Sequence, residues 1–362
     1  MNKKMHWGLW WAQIRSVIRL EMRKTFFAKR GLWVYLLALM PVVLFFADSA
    51  NVLRDRDRRA ELETTHPAKA EALRSIETGM TKDQVVAKVG EPYGQTTFTF
   101  TRRNESHSRT VYRYTDGAND YVFTFRDDEL AQIRTNELRT IANDSLIFAT
   151  VFQFFFLRLA IFFGCVGIFT NLFRGELLDK SLHFYLLAPI RREVLLVGKY
   201  LAGLIATTVI FTTSTALQIL AMGWHLTGPS MTEFLRGPGW GQIGAYLGVT
   251  ALACLGYGSV FLAAGLLFRN PIIPAAVVLL WESANPFLPA ALKKISVIFY
   301  LQSMCPVVAK PADMPALAAL LLSSAEATPA VWAIGGLIVV TLAVLALAAR
   351  QARALEINYS AD

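Results

Sequence analysis

Cysteine is scarce, with three in 362 residues. None forms a C-x-x-C pair, so neither a metal site nor a disulfide framework is built from them. Cys165 and Cys254 fall in apolar runs and Cys305 in a later loop, where they read as small apolar filler. Nucleotide-binding signals are lacking too. "VGKY" (197–200) is not a P-loop, because it has neither the earlier glycine nor a Ser or Thr after the lysine. No H-E-x-x-H, G-x-S-x-G or paired metal ligands occur in the apolar segments. We therefore expect no catalytic, cofactor or metal site in this chain. Charge is thin as well, at 17% of residues against 54% hydrophobic.

What is present is apolar sequence in long blocks. Several runs reach or approach the ~18 residues that mark a membrane-spanning helix. Six spans are expected, at about Gly31–Phe46, Leu146–Phe173, Leu195–Trp224, Ile243–Phe268, Ile272–Leu292 and Val331–Ala349. The first contains Pro41 but has no charge from Leu32 to Phe46. The polar-basic stretch before it does not read as a cleaved signal peptide. Gly244-x3-Gly248, Gly256, Gly258 and Gly265 are small residues that would let helices approach closely.

The net charge of +9 invites a nucleic-acid reading, which the placement of the charges rejects. With the N-terminus on the cytoplasmic side, sixteen Lys and Arg residues fall there and four in the short outer loops. That asymmetry orients membrane proteins. The long segment 50–144 is nearly neutral, with fifteen basic and sixteen acidic residues. The basic face would meet anionic lipid. Before the first span, Arg15, Arg19 and Arg23 form one stripe at helical spacing, with Trp11, Ile14, Ile18 and Met22 as a second. This predicts an amphipathic interfacial helix.

The expected organisation has three parts. Residues 1–49 hold the interfacial helix and the first span. Residues 50–144 form an extracytoplasmic stalk and small domain. Residues 145–362 hold spans two to six, with a cytoplasmic loop at 174–199 and an outer re-entrant or interfacial loop at 293–329. In the extracytoplasmic segment, Thr81 should cap a short helix with Val85, Val86 and Val89 inward and Gly90 and Pro92 as its stop. Alternation then marks strands in "TTFTFTRR", "RTVYRY" and "DYVFTFRDDELAQIRT", with "RDDE" as a hairpin turn. Gly79-Met80-Thr81, Val85, Gly90-Glu91-Pro92-Tyr93 and Val122–Phe125 leading to Leu130 resemble the BamE-like (SmpA/OmlA) domain of bacterial envelope proteins. Residues 76–135 carry the likeness, which implies contact with envelope proteins rather than catalysis.

In "RGELLDKSLHFYLLAPIRREVLLVGKYLAGL" (174–204), Leu177, Leu178, Leu182, Tyr185 and Leu186 recur at helical spacing until Pro189. An apolar ridge on a loop needs cover from the protein's own base or from another protein. Glu176, Ser181-Leu182, Leu186, Pro189-Ile190, Arg192, Leu195-Leu196 and Gly198-Lys199 resemble the cytoplasmic loop of type-two ABC exporter permeases. Lys180 stands where that family usually has glycine. The resemblance implies an α-helical membrane fold of six spans, both termini in the cytoplasm and residence in the bacterial inner membrane, with the small α+β domain inserted after span one. It also implies a coupling helix (Glu176, Leu182, Leu186, Pro189, Arg192) that docks on a separate ABC ATP-binding subunit. A second permease copy or a related permease would complete the transporter. The alternative is a non-transporting scaffold that carries an ATPase signal to envelope proteins through the BamE-like domain.

Two charges lie inside spans. Arg158 is about twelve residues into span two and Glu282 about ten into span five, near the midplane at ~1.5 Å per residue. Each needs a partner or water there. Their opposite sign and similar depth predict that they face each other, within one chain or across a dimer. The resemblance, in which spans two and five line the central pathway, implies that they border a translocation route.

Overall fold

The computed structural model describes residues 7–27, 31–65, 70–102, 105–117, 119–137, 139–178, 190–226, 228–268, 270–307 and 328–353. The chain forms two compact units, one of Ala47–Ile141 and one of Met1–Phe46 with Ala142–Asp362. Within the described residues, five helices are long and apolar enough to cross a membrane. They are Leu32–Thr65, Ile141–Phe173, Arg192–Gly223, Gly228–Leu267 and Ala330–Arg353. The chain thus has the character of a multi-pass membrane protein.

The larger unit begins with α1 (Trp7–Phe27) and the first part of α2 (Leu32–Thr65). Pro41 lies inside α2. Near it, the Ser214 hydroxyl donates to the Ala38 carbonyl, the kind of side-chain bond that helps a membrane helix tolerate proline. Beyond the inserted unit, which holds two short helices and a sheet, α5 (Ile141–Val151) continues into a π-helical stretch, Phe152–Ile161, and then α6 (Phe162–Leu178). Next come α7 (Arg192–Gly223), α8 (Gly228–Phe234) and α9 (Trp240–Leu267). The central helix is α9, packed against α6, α7 and α13 (Ala330–Arg353). Buried aromatic rings fill the spaces between them, including Phe152 with Tyr246 and Phe162 with Phe261, each at 4.8 Å between centroids.

Glycine sets how closely α6 and α9 approach. A Cβ on Gly265 would lie 2.8 Å from the Thr170 backbone, and one on Gly258 would lie 2.4 Å from the Phe169 ring. Gly244 and Gly248 do not serve this purpose, since nothing lies within 4 Å of a Cβ at either. Among the described residues, the face of α9 that carries them meets no other helix.

The apolar run Ile272–Leu292, expected as one span, is broken. α10 ends at Ala284, a 3-10 turn covers Asn285–Phe287, and α11 is only Ala290–Lys293. Pro286 and Pro289 lack amide donors and obstruct the preceding turn, so an unbroken helix cannot pass. The chain then returns as α12 (Val297–Ser303), with Val297 to Gln302 all buried.

In the unit Ala47–Ile141, α3 (Ala70–Arg74) and α4 (Lys82–Val89) precede a four-stranded antiparallel sheet. Its strands are β1 (Gly94–Arg102), β2 (Glu105–Thr115), β3 (Asn119–Arg126) and β4 (Glu129–Glu137), in that spatial order. Thr81 and Gln84 form a capping box, satisfying two orphan amides of α4. Val85 and Val89 are buried against Tyr112, Tyr114, Phe123 and Phe125, with Val86 at the rim. Asp127 and Asp128 take φ of 48° and 78°, the left-handed pair that a tight two-residue hairpin requires. Asp48 and Arg139, 91 residues apart, are joined by bonds of 2.8 and 2.7 Å. Arg59 pairs with Asp120 at 2.8 Å. The charged stretch expected as a stalk is therefore helical to Thr65 and fastened to the sheet.

Candidate functional site

The first candidate site lies at the end of the helical unit that bears the 174–199 loop. There α1 packs along α7. Val17 sits on Gly198, where a Cβ would come within 2.9 Å of the valine side chain, so glycine permits the contact. One turn further, Glu21 and Lys199 are 3% and 0% exposed. Lys199 Nζ donates to Glu21 Oε1 at 2.6 Å and to the Leu172 carbonyl at 2.8 Å. It also lies 5.4 Å from the centre of the Phe173 ring. One ammonium thus joins α1, α6 and α7. Burying two charges costs several kcal/mol per ion, so such a pair specifies a geometry more than it adds stability.

Arg15, Arg19 and Arg23 are exposed on the other side of α1, and Trp11 is exposed with them. Ile14, Ile18 and Met22 are half-buried, flanking the buried Val17 and Glu21. The face of α1 turned toward protein is therefore centred on Val17 and Glu21. Lys199, counted from sequence among the charges facing lipid or a partner, is an internal residue. Nothing local signals this, because its partner lies 178 residues away.

Of the expected coupling residues, Glu176 is on α6, while Leu182, Leu186 and Pro189 lie outside the described residues. Arg192 opens α7 and donates through Nη1 to the Arg353 carbonyl at 2.6 Å. Arg353 Nε in turn meets Glu193 Oε1 at 2.7 Å. The start of α7 is thereby tied to the end of α13. The Arg191 guanidinium stacks 5.0 Å from the Trp10 ring, a cation–π contact that binds α1 to the same corner.

The second candidate site contains Arg158 and Glu282, both buried. Arg158 is carried by the π-helical stretch, a widened turn that often occurs at functional positions. The two residues come together, though not carboxylate to guanidinium. Arg158 Nη1 points to the Glu282 backbone carbonyl at 3.5 Å. The carboxylate instead accepts from Ser296 Oγ at 2.7 Å and from the Val297 and Ile298 amides at 3.0 and 2.8 Å. Those amides are among the orphan donors of the first turn of α12, and Ser296 makes no cap bond of its own. Glu282 is the cap of α12, supplied from α10. The fully buried Tyr257 stands beside both residues, within electrostatic reach of each. A sequence signal existed in Ser296, directly before the apolar "VIFYLQS", which reads as a helix start.

Two further buried polar groups escaped the sequence reading. His225, just past the end of α7, has its Nε2 2.9 Å from Oδ2 of Asp144 on α5. Thr215 and Thr250 hydroxyls lie 3.0 Å apart between α7 and α9, one turn from the Gln218–Ser214 bond of 3.0 Å. A pocket is lined by residues that include Ser145, Phe148, Ile219, Met222, Phe234 and Tyr246. Among the described residues there is no group of three or more His, Cys, Asp or Glu side chains placed to hold a metal ion. No family model, curated protein or solved structure matches the chain.

Proposed function

We propose that this chain is the transmembrane permease subunit of an ABC exporter, driven by ATP hydrolysis in a separate subunit. The observation that carries the reading is the buried Lys199, which holds α1, α6 and α7 together beside the 174–199 loop. A soluble motor can move buried helices only through a rigid element continuous with them. Here the loop joins α6 to α7 in the chain, and the start of α7 that follows it is held by Lys199, by Arg192 and by Arg353. In this reading five spans are the long apolar helices, and the sixth is Ile272–Phe287 with its return through α12. That shorter helix, at ~1.5 Å per residue, is completed by the hairpin that Glu282 fastens. The unit 47–141 is the inserted BamE-like domain, outside the cytoplasm, and Arg158 and Glu282 border the translocation route.

The experiment is to purify the tagged chain from its own membranes and photolabel the preparation with 8-azido-ATP. A second, labelled polypeptide with a P-loop is the expected result. A preparation that contains no nucleotide-binding chain would remove the reading.

A further inference from the structure

Edge strands present unpaired N–H and C=O groups, and proteins guard them with charge, proline, bulges or cover. The two edges of the sheet differ here. β4 carries Glu129, Arg134 and Glu137, and its ladder with β3 is irregular at Thr124/Phe125. The segment before α4 lies along its start, with the Leu130 amide bonded to the Met80 carbonyl at 2.8 Å. Among the described residues, β1 lacks these guards until Arg102 at its far end. Gly94 to Thr101 contains no charge and no proline, and its register with β2 is unbroken from Gly94↔Arg113 to Arg102↔Glu105. Gln95 to Thr99 are all exposed, with Phe98 at 57%. The helical cover stops at β2, where Thr110 and Tyr112 are buried while their β1 neighbours Thr97 and Gln95 are not.

We propose that β1 is a self-pairing edge through which two copies of this chain join, antiparallel, about a two-fold axis at Thr97. An antiparallel strand pair is self-complementary, as an isologous contact requires. Centred on Thr97, the pairing sets Thr96 opposite Phe98 and Gln95 opposite Thr99 of the other copy. In sequence, Glu91 precedes the strand and Arg102-Arg103 close it, so an antiparallel pairing sets an acidic start against a basic end on both sides of the uncharged stretch Gly94 to Thr101. The Phe98 ring gains a neighbouring strand, and the open backbone groups gain partners. The unit is tethered at both ends to apolar helices, so two copies in one membrane meet at high effective concentration and a short contact suffices. The pairing needs neither an ATP-binding subunit nor transport, so it stands or falls separately from the function proposed above.

The test is disulfide trapping of the full-length chain in its membrane, in a Cys305→Ser background, Cys165 and Cys254 being buried. Opposed residues of an antiparallel pair have Cα atoms about 4.5–5.5 Å apart, within disulfide reach. Thr97→Cys should give a covalent dimer on mild oxidation, at least tenfold more than Gln95→Cys or Thr99→Cys alone. Each flanking residue lies about 13 Å from its own symmetry mate, at ~3.3 Å per residue. Co-expressing the Gln95→Cys and Thr99→Cys chains should restore the dimer as a mixed species, which tests the same register should Thr97→Cys accumulate poorly. No dimer from either route, or equal dimer from all three single variants, overturns the proposal.

Discussion

Lys199 and Glu21 lie 178 residues apart in the chain and 2.6 Å apart in space, both closed off from solvent. Losing one partner of a buried pair leaves an uncompensated charge, which costs about 3–5 kcal/mol. Lys199→Met and Glu21→Leu should therefore each lower the unfolding temperature and the yield of the chain in detergent. The double variant should recover most of the loss, because an apolar pair of similar volume is often neutral. Thermal unfolding followed by size-exclusion chromatography reads this directly. Single variants as stable as the parent would show that Lys199 is not the anchor.

At Glu282 the arrangement reverses the outcome expected of a simple charge pair. Exchanging Arg158 and Glu282 would restore two facing opposite charges, yet the carboxylate accepts three hydrogen bonds that no arginine can accept. The double swap Arg158→Glu with Glu282→Arg should be at least as poor as either single variant. Glu282→Gln, which keeps an acceptor, should be milder than Glu282→Leu, which strands three buried donors at about 1–3 kcal/mol each. Folded yield of the five variants is the measurement, and recovery in the double swap would refute the cap.

The inserted unit can be tested as a fragment, with its ends chosen by the ion pairs. A cut at Leu73 would remove the Arg59 partner of Asp120 and the Asp48 partner of Arg139, and would truncate a residue that is itself 2% exposed. A fragment of residues 48–140 should melt cooperatively by circular dichroism and at a higher temperature than one of residues 73–139. Equal melting temperatures would show that the two pairs add nothing.

The same fragment should lose stability in alkali. Burial raises the ionisation of Tyr114 above its ordinary value of 10.0, and its hydroxyl donates to the Gly90 carbonyl at 3.0 Å. The unfolded chain therefore gives up this proton first, so the stability is intact below about pH 10 and falls as pH rises past it. Tyr114→Phe should flatten part of that decline while lowering stability at neutral pH. An unchanged alkaline slope in the variant would assign the decline to other groups.

Much of the fold was legible because it is local. Hydropathy located the long helices, alternation located β1 to β4, and Thr81 with Gln84 announced the start of α4. The break in the run Ile272–Leu292 was written in Pro286 and Pro289, but composition averaged over twenty residues conceals two prolines. What stayed hidden was long-range. Lys199 finds Glu21, His225 finds Asp144, and the Glu282 carboxylate finds Ser296 rather than Arg158. Periodicity cannot choose between such partners, because each is selected by how helices pack. The π-helical turn that carries Arg158 likewise has no signature in "FQFFFLRLAI".

The central claim is that the 174–199 loop grips an ATP-hydrolysing subunit, and Leu182 and Leu186 are where the grip would be. The most direct measurement is co-purification of an ATP-binding subunit with the full-length chain carrying Leu182→Asp and Leu186→Asp together. The account predicts that the chain still inserts and elutes as the parent does, since its apolar helices are untouched, while the ATP-binding subunit is lost. A doubly substituted chain that retains its ATP-binding subunit in full would contradict it.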